Sequence, residues 1–222
     1  MKRSFSYVII LLSVVSLMAF NFPYFTSNSQ TKQSTSGNLS NLEQEVFAEL
    51  NLARTQPKTY AKFLVEYAKH YSGMDVRFPE EVTMTTNEGV AAVNEAIKFL
   101  NTQKPLQKLT IDKGLCLSAK DMARMQGATS QIGHVGTDGS SPTTRLVRQG
   151  DWDGLCIENI DYGNNNARRI VISMIVNDGI KARTFRKSIF EPKYRQVGVA
   201  CGPHQAYEYM CVVDYAEDFR DK

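Results

Sequence analysis

Gly133-His134-Val135-Gly136-Thr137-Asp138-Gly139-Ser140-Ser141-Pro142, followed downstream by Cys156-Ile157-Glu158-Asn159-Ile160, is the stretch on which the reading of this chain turns. Glycine and proline punctuate the first segment densely enough to make it a loop, and loops held on a scaffold are where binding and catalytic groups concentrate. The second segment alternates and is flanked by polar turns, the pattern of a short strand. A histidine on a loop and a carboxylate on a strand are thus placed where they could converge. Asp138 with Ser140 and Ser141 reads as a capping arrangement for the turn at Pro142.

Upstream, Ser40 caps a helix whose Glu43 completes a capping box and whose Leu42, Val46, Leu50 and Ala53 share a face. Thr55-Gln56-Pro57 interrupts it, and proline suits the first turn of a second helix carrying Tyr60, Phe63, Leu64 and Tyr67 inward, to a turn near Ser72-Gly73. Residues 74–85 read as an irregular connection. Thr85 and Glu88 then open a third helix with Val90, Val93, Ile97 and Leu100 on one stripe. Asp112 caps a fourth, in which Leu115, Ala119, Met122 and Ala123 face inward and which delivers the chain into the His134 loop. Downstream, Ala167 to Asn177 reads as a helix whose β-branched content would also permit a strand. A helical turn at Arg183 to Ile189 and a hairpin of Gln196 to Cys201 with Tyr207 to Tyr215 complete the chain. Helices flanking a small, mostly antiparallel sheet make an α+β fold, a three-layer α-β-α sandwich.

The N-terminus sets the compartment. Met1-Lys2-Arg3 is basic and Tyr7 to Phe20 almost wholly apolar, the layout of a signal sequence, so residues 1–25 read as a leader and the protein as secreted or extracytoplasmic. The alternative is an uncleaved anchor, since Tyr7 to Phe25 reaches the roughly 17 residues a membrane-spanning helix needs, leaving the domain membrane-associated on the outer side. Residues 26–39, rich in Ser, Thr, Asn and Gln, form a flexible spacer, and residues 40–219 one domain. A net charge of +3 with interspersed signs lacks the footprint of a nucleic-acid binder. The basic run from Lys181 to Lys193 reads as a solvated helix face. Four cysteines in an exported domain point to disulfides. Cys201 and Cys211 alternate on the two hairpin strands and are the preferred pair, leaving Cys116 with Cys156; two buried free thiols are the alternative to the second bridge.

From Leu42 to Phe219 the chain resembles the CAP superfamily, also called the SCP domain, shared by cysteine-rich secretory proteins, antigen 5 and plant pathogenesis-related proteins. The resemblance rests on Leu50-Asn51-Leu52-Ala53-Arg54, the Gly133-His134 loop with Asp138-Gly139-Ser140, Glu158-Asn159-Ile160, Val197-Gly198-Val199-Ala200, and Asn177-Asp178-Gly179 followed by Phe185-Arg186-Lys187-Ser188-Ile189-Phe190. It implies a sandwich with a central cleft lined in many members by two histidines and two acids, sometimes holding a divalent metal. Residue by residue, His134 matches the first histidine and Glu158 the first acid. The second acid falls at Asn177 or Asp178, and Phe185 stands where the second histidine is usual.

That departure weakens any metal site, because a zinc centre needs at least three protein ligands and imidazole is the strongest neutral one. His134 and Glu158 remain as metal-ligating candidates, for weakly held zinc or for calcium or magnesium. Ser140 and Ser141 lack a Gly-x-Ser-x-Gly elbow and no cysteine has a nucleophile's setting, so covalent hydrolysis is unsupported. The expectation is a non-enzymatic binder of a small hydrophobic, lipid- or sterol-like ligand, or of an extracellular macromolecule, at a cleft containing His134, Glu158, Asp178 and Phe185. The alternatives are a metal-dependent hydrolase using His134 and Glu158, and a membrane-tethered interaction module.

Overall fold

The computed structural model describes residues 39–222; the leader and the spacer up to residue 38 lie outside the described residues. Helix α1 (Asn41–Thr55) opens with the expected capping box, Glu43 N–H donating to Ser40 Oγ and Ser40 N–H to the Glu43 carboxylate. Pro57 takes the first turn of α2 (Pro57–Ala68). Residues 71–85, expected as irregular from 74, instead fold into three two-residue antiparallel strands, β1 (Tyr71–Ser72), β2 (Asp75–Val76) and β3 (Met84–Thr85).

Helix α3 (Val90–Thr102) is not opened by Thr85 and Glu88. Its cap is Gly89, at φ 62°, and the preceding N–H groups of Asn87 and Glu88 donate to the distant Asp178 carboxylate. After the short β4 (Thr110–Ile111), Asp112 caps α4 (Lys113–Gly127) as expected. The turn at Pro142 proves to be the start of a further helix, α5 (Pro142–Gln149), capped by Ser141. Strand β5 runs well beyond the Glu158 segment, from Gly150 to Tyr162. It is followed by α6 (Ala167–Val176), α7 (Thr184–Ile189), β6 (Gln196–His204) and β7 (Glu208–Asp221).

The main sheet has the order β4-β6-β7-β5, parallel only between β4 and β6, so β5 is an edge strand. Alternation along the strands sends Val197, Val199, Cys211, Val213 and Tyr215 into a core shared with α1, α2, α3 and α6. Ala200, Met210, Val212 and Ile160 go to the other face, against Ala119 and Met122 of α4. Helices thus cover both faces, giving the three-layer α+β sandwich expected. Each fully buried Leu, Ile or Val contributes about 1.5–3 kcal/mol, and the larger core lies on the α1/α6 side. Gly198 lets α4 approach the sheet: a β-carbon there would fall on the backbone of Leu115 and Cys116.

Cys201 and Cys211 face each other directly across β6 and β7 and are bonded. The second expected bridge is corrected: Cys116 and Cys156 are free thiols. The Cys116 sulfur lies at the Val199 backbone on β6, whereas Cys156 is on β5, with β7 between. Two strand spacings are roughly 10 Å, beyond the reach of a disulfide. Burial raises both thiols above the usual range, Cys116 to about 11.

The motif Leu50 to Arg54 is structural. Asn51 exchanges two hydrogen bonds with the Leu109 backbone, and the buried Arg54 guanidinium donates to the carbonyls of Gln107, Ile189, Glu191 and Tyr194. The basic run from Lys181 to Lys193 is likewise not a solvated face throughout. Arg183 and Arg186 are buried, pairing with Glu88 and Glu95, and these arginines hold the Glu95 carboxyl down at about 2.

Candidate functional site

The loop between α4 and α5 is held from below by Gln126, which is fully buried and donates to the carbonyls of Gly133 and Val135. Tyr162 at the end of β5 donates from its hydroxyl to Gln126 and accepts from Gly133 N–H. Within the loop, Gly136 N–H donates to Ser140 O, Gly139 N–H to Gly136 O, and Ser140 N–H to Asp138 Oδ1. The Ser140 hydrogen bonds, with Arg148, hold the Asp138 carboxyl well below the usual carboxylate range. This closed turn is what presents His134.

His134 and Glu158 do meet. His134 Nδ1 lies 2.9 Å from Glu158 Oε1, with the ring 44 % exposed and the carboxylate 1 % exposed. A buried carboxylate requires a compensating partner. Arg145, on the inner face of α5 and wholly buried, supplies it, donating from Nη2 to Glu158 Oε2 at 2.7 Å. The same guanidinium donates to Ser140 O at 2.8 Å and His134 O at 3.2 Å, so one cation neutralises the acid and ties down both ends of the loop. Across the β5–β7 ladder from Glu158 lies Asp214, buried, with neither carboxylate oxygen in a hydrogen bond among the described residues. Burial first, and Glu158 second, push its carboxyl well above the ordinary range.

Over the edge of β5 the loop, α5 and α7 enclose a cleft of about 380 Å³. Its walls are Pro142, Leu146, Cys156, Ile157 and Phe185, with Thr143, Thr184 and the His134–Glu158 pair supplying the polar part. Phe185 packs edge-on to the His134 ring, the centroids 6.0 Å apart, and its N–H donates to Asn177 Oδ1 at 2.9 Å. Asp178 is not in the cleft, a correction to its expected place as second acid. The chain leaves α6 through Asn177 in the left-handed conformation, φ 50°, which turns Asp178 away to the Asn87–Glu88 amides ahead of α3. Trp152 also lies elsewhere, beside Leu146 and Phe219.

Arg145, Gln126, Tyr162 and Asp214 escaped sequence reasoning. Arg145 follows a proline-started turn like any surface arginine, and only the unforeseen α5, whose two buried residues are Arg145 and Leu146, turns it inward. The donor set does not fit the divalent metal that the resemblance allows. Only His134 and Glu158 converge, Arg145 occupies the free carboxylate oxygen, and among the described residues no three His, Cys, Asp or Glu side chains gather. With both oxygens engaged and the side chain buried, Glu158 is not placed to activate water.

The fold is that of a CAP/SCP domain, and the chain belongs to that family: the model of the CAP, cysteine-rich secretory protein family matches residues 48–215. Among solved structures it is similar to an outer surface protein from Borrelia burgdorferi, with 21% identity, 51% of this chain and 80% of that chain covered, and a TM-score of 0.42. It is also similar to an extracellular protein containing a SCP domain from Bacillus anthracis strain Ames, with 13% identity, 58% of this chain covered and a TM-score of 0.41; the match spans 38% of that protein's length. No curated protein matches the chain.

Proposed function

We propose that this CAP-domain protein works outside the cytoplasm as a binder, without catalysis, holding a small hydrophobic ligand in the cleft between α5 and α7. The observation that carries the reading is the cleft's composition: an apolar lining from Pro142, Leu146, Cys156, Ile157 and Phe185 around one oriented imidazole. Concave, mostly apolar sites with a few fixed polar groups are the usual form of small-molecule pockets. His134 is locked by Glu158, and Glu158 by Arg145, so the imidazole can orient a ligand's polar end without reorganising. The Cys201–Cys211 disulfide and the leader-like start support an oxidising, extracytoplasmic setting. No helix of the described residues is long and apolar enough to cross a membrane.

The test is native mass spectrometry of protein recovered from its own export compartment, with iodoacetamide labelling of Cys156 read by peptide mapping. A lipid-sized adduct, lost in Phe185→Asp, with Cys156 protected while the adduct is present, is the expected result. A species without adduct whose Cys156 labels at the same rate in wild type and variant overturns the proposal. A stoichiometric metal adduct would favour the hydrolase instead.

A further inference from the structure

A second concavity, of about 610 Å³, lies beyond the far end of β5, where segment 80–84, the turn 163–165 and the β6–β7 hairpin come together. It begins at Gly163, five residues past Glu158, or about 17 Å along the strand, and shares no lining residue with the cleft. Four exposed large apolar side chains gather there: Val82, Met84, Tyr207 and Tyr209. Exposed hydrophobics scattered singly need no explanation, but these four line one groove.

The charges around this patch are specific. Glu81 is neutralised by Arg169 at 2.7 Å, whereas Glu80 and Glu208 make no ion pair or side-chain hydrogen bond among the described residues. The groove therefore carries two uncompensated negative charges on a chain whose net charge is +3. Both glutamates also sit at φ 63°, a backbone conformation that glycine or asparagine adopts at far lower cost. Carboxylates stand at these two positions against backbone preference.

We infer that this groove binds a basic segment of another protein, a lysine or arginine flanked by apolar residues. Its cation would lie between the Glu80 and Glu208 carboxylates and against the Tyr207 and Tyr209 rings, and its apolar neighbours on Val82 and Met84. Charge complementarity selects the cation, and a cation over an aromatic face adds attraction when partly desolvated. The chain already uses this contact beside the groove, where Arg169 lies 4.7 Å from the Phe78 ring centroid.

The experiment is selection of random hexamers displayed on phage against the exported protein, followed by titration of the best synthetic hexamer into wild type, Glu80→Gln/Glu208→Gln, Tyr207→Ala and Phe185→Asp. We expect lysine or arginine enriched at one position with apolar neighbours. Affinity should fall about tenfold in the double glutamine variant and fall at high salt, with no change in Phe185→Asp. The glutamine substitutions keep shape and backbone, and circular dichroism checks their folding. Selection without basic enrichment, equal affinity in the double variant, or a titration with neutral chitotriose that saturates and is lost in Tyr207→Ala would each overturn the inference, the last by showing a glycan site.

Discussion

Replacing Arg145 with methionine should be the most damaging single change around the cleft, and its cost can be worked from the geometry. The side chain is wholly buried and makes three contacts that fix the site, to Glu158 Oε2 at 2.7 Å, Ser140 O at 2.8 Å and His134 O at 3.2 Å. Methionine fills much of the same space but leaves Glu158 a buried charge without its cation. Breaking a buried pair by removing one partner costs about 3–5 kcal/mol. At about 2–4 °C per kcal/mol for a domain of this size, the midpoint of thermal unfolding should fall by roughly 6–20 °C. Urea denaturation followed by the fluorescence of Trp152, the only tryptophan, reads the loss directly. The decisive comparison is the double variant Arg145→Met/Glu158→Leu, which removes both charges and should be more stable than Arg145→Met alone. A loss below about 1 kcal/mol in the single variant, or a double variant no better than the single, would refute the assignment of Arg145 as the counterion that makes a buried Glu158 tolerable.

Three further outcomes are expected. Asp161 is buried on β5, and burial raises its carboxyl to about 7 despite hydrogen bonds from Asn164. Its folded pKa lies above the unfolded value near 3.9, so its contribution is fully present below about pH 4 and is lost progressively as pH rises to about 7, on the order of 4 kcal/mol in all. Asp161→Asn should therefore gain stability over wild type between pH 5 and 8 in urea titrations, and parallel curves would count against this. Phe185→His should tighten zinc binding at least tenfold by calorimetry, because centroids 6.0 Å apart allow two imidazoles to share a metal at about 2.1 Å from each nitrogen; unchanged affinity would show that the ring cannot turn inward. Gly198→Ala should destabilise by roughly 2 kcal/mol or more, since the added carbon meets the α4 backbone and not a movable side chain. Wild-type stability in that variant would mean that α4 can lift off the sheet at little cost.

What was legible in the sequence is what local chemistry determines. The capping box at Ser40 and the cap at Asp112, the proline at position 57, the alternation at Gln196 to Cys201 and the amphipathic stripes of α1 to α4 each depend on residues within a turn or two. The meeting of His134 and Glu158 was legible as well, because the glycine-rich loop and the strand announce themselves and the family resemblance supplied their convergence. Tertiary structure decided the rest. Arg145 became a buried counterion because α5 forms and turns one face inward, and Asp178 left the cleft because one left-handed residue, Asn177, redirected the chain. Cys116 and Cys156 stayed unpaired because β7 inserts between the strands that carry or contact them, a fact of strand order on which composition is silent. Arg183 and Arg186 look like solvent-facing charge in sequence and are buried only because α3 brings Glu95 to them. Hydrogen bonds and charge pairs between residues some 90 positions apart depend on where the chain returns, and that return is set by the packing of whole layers.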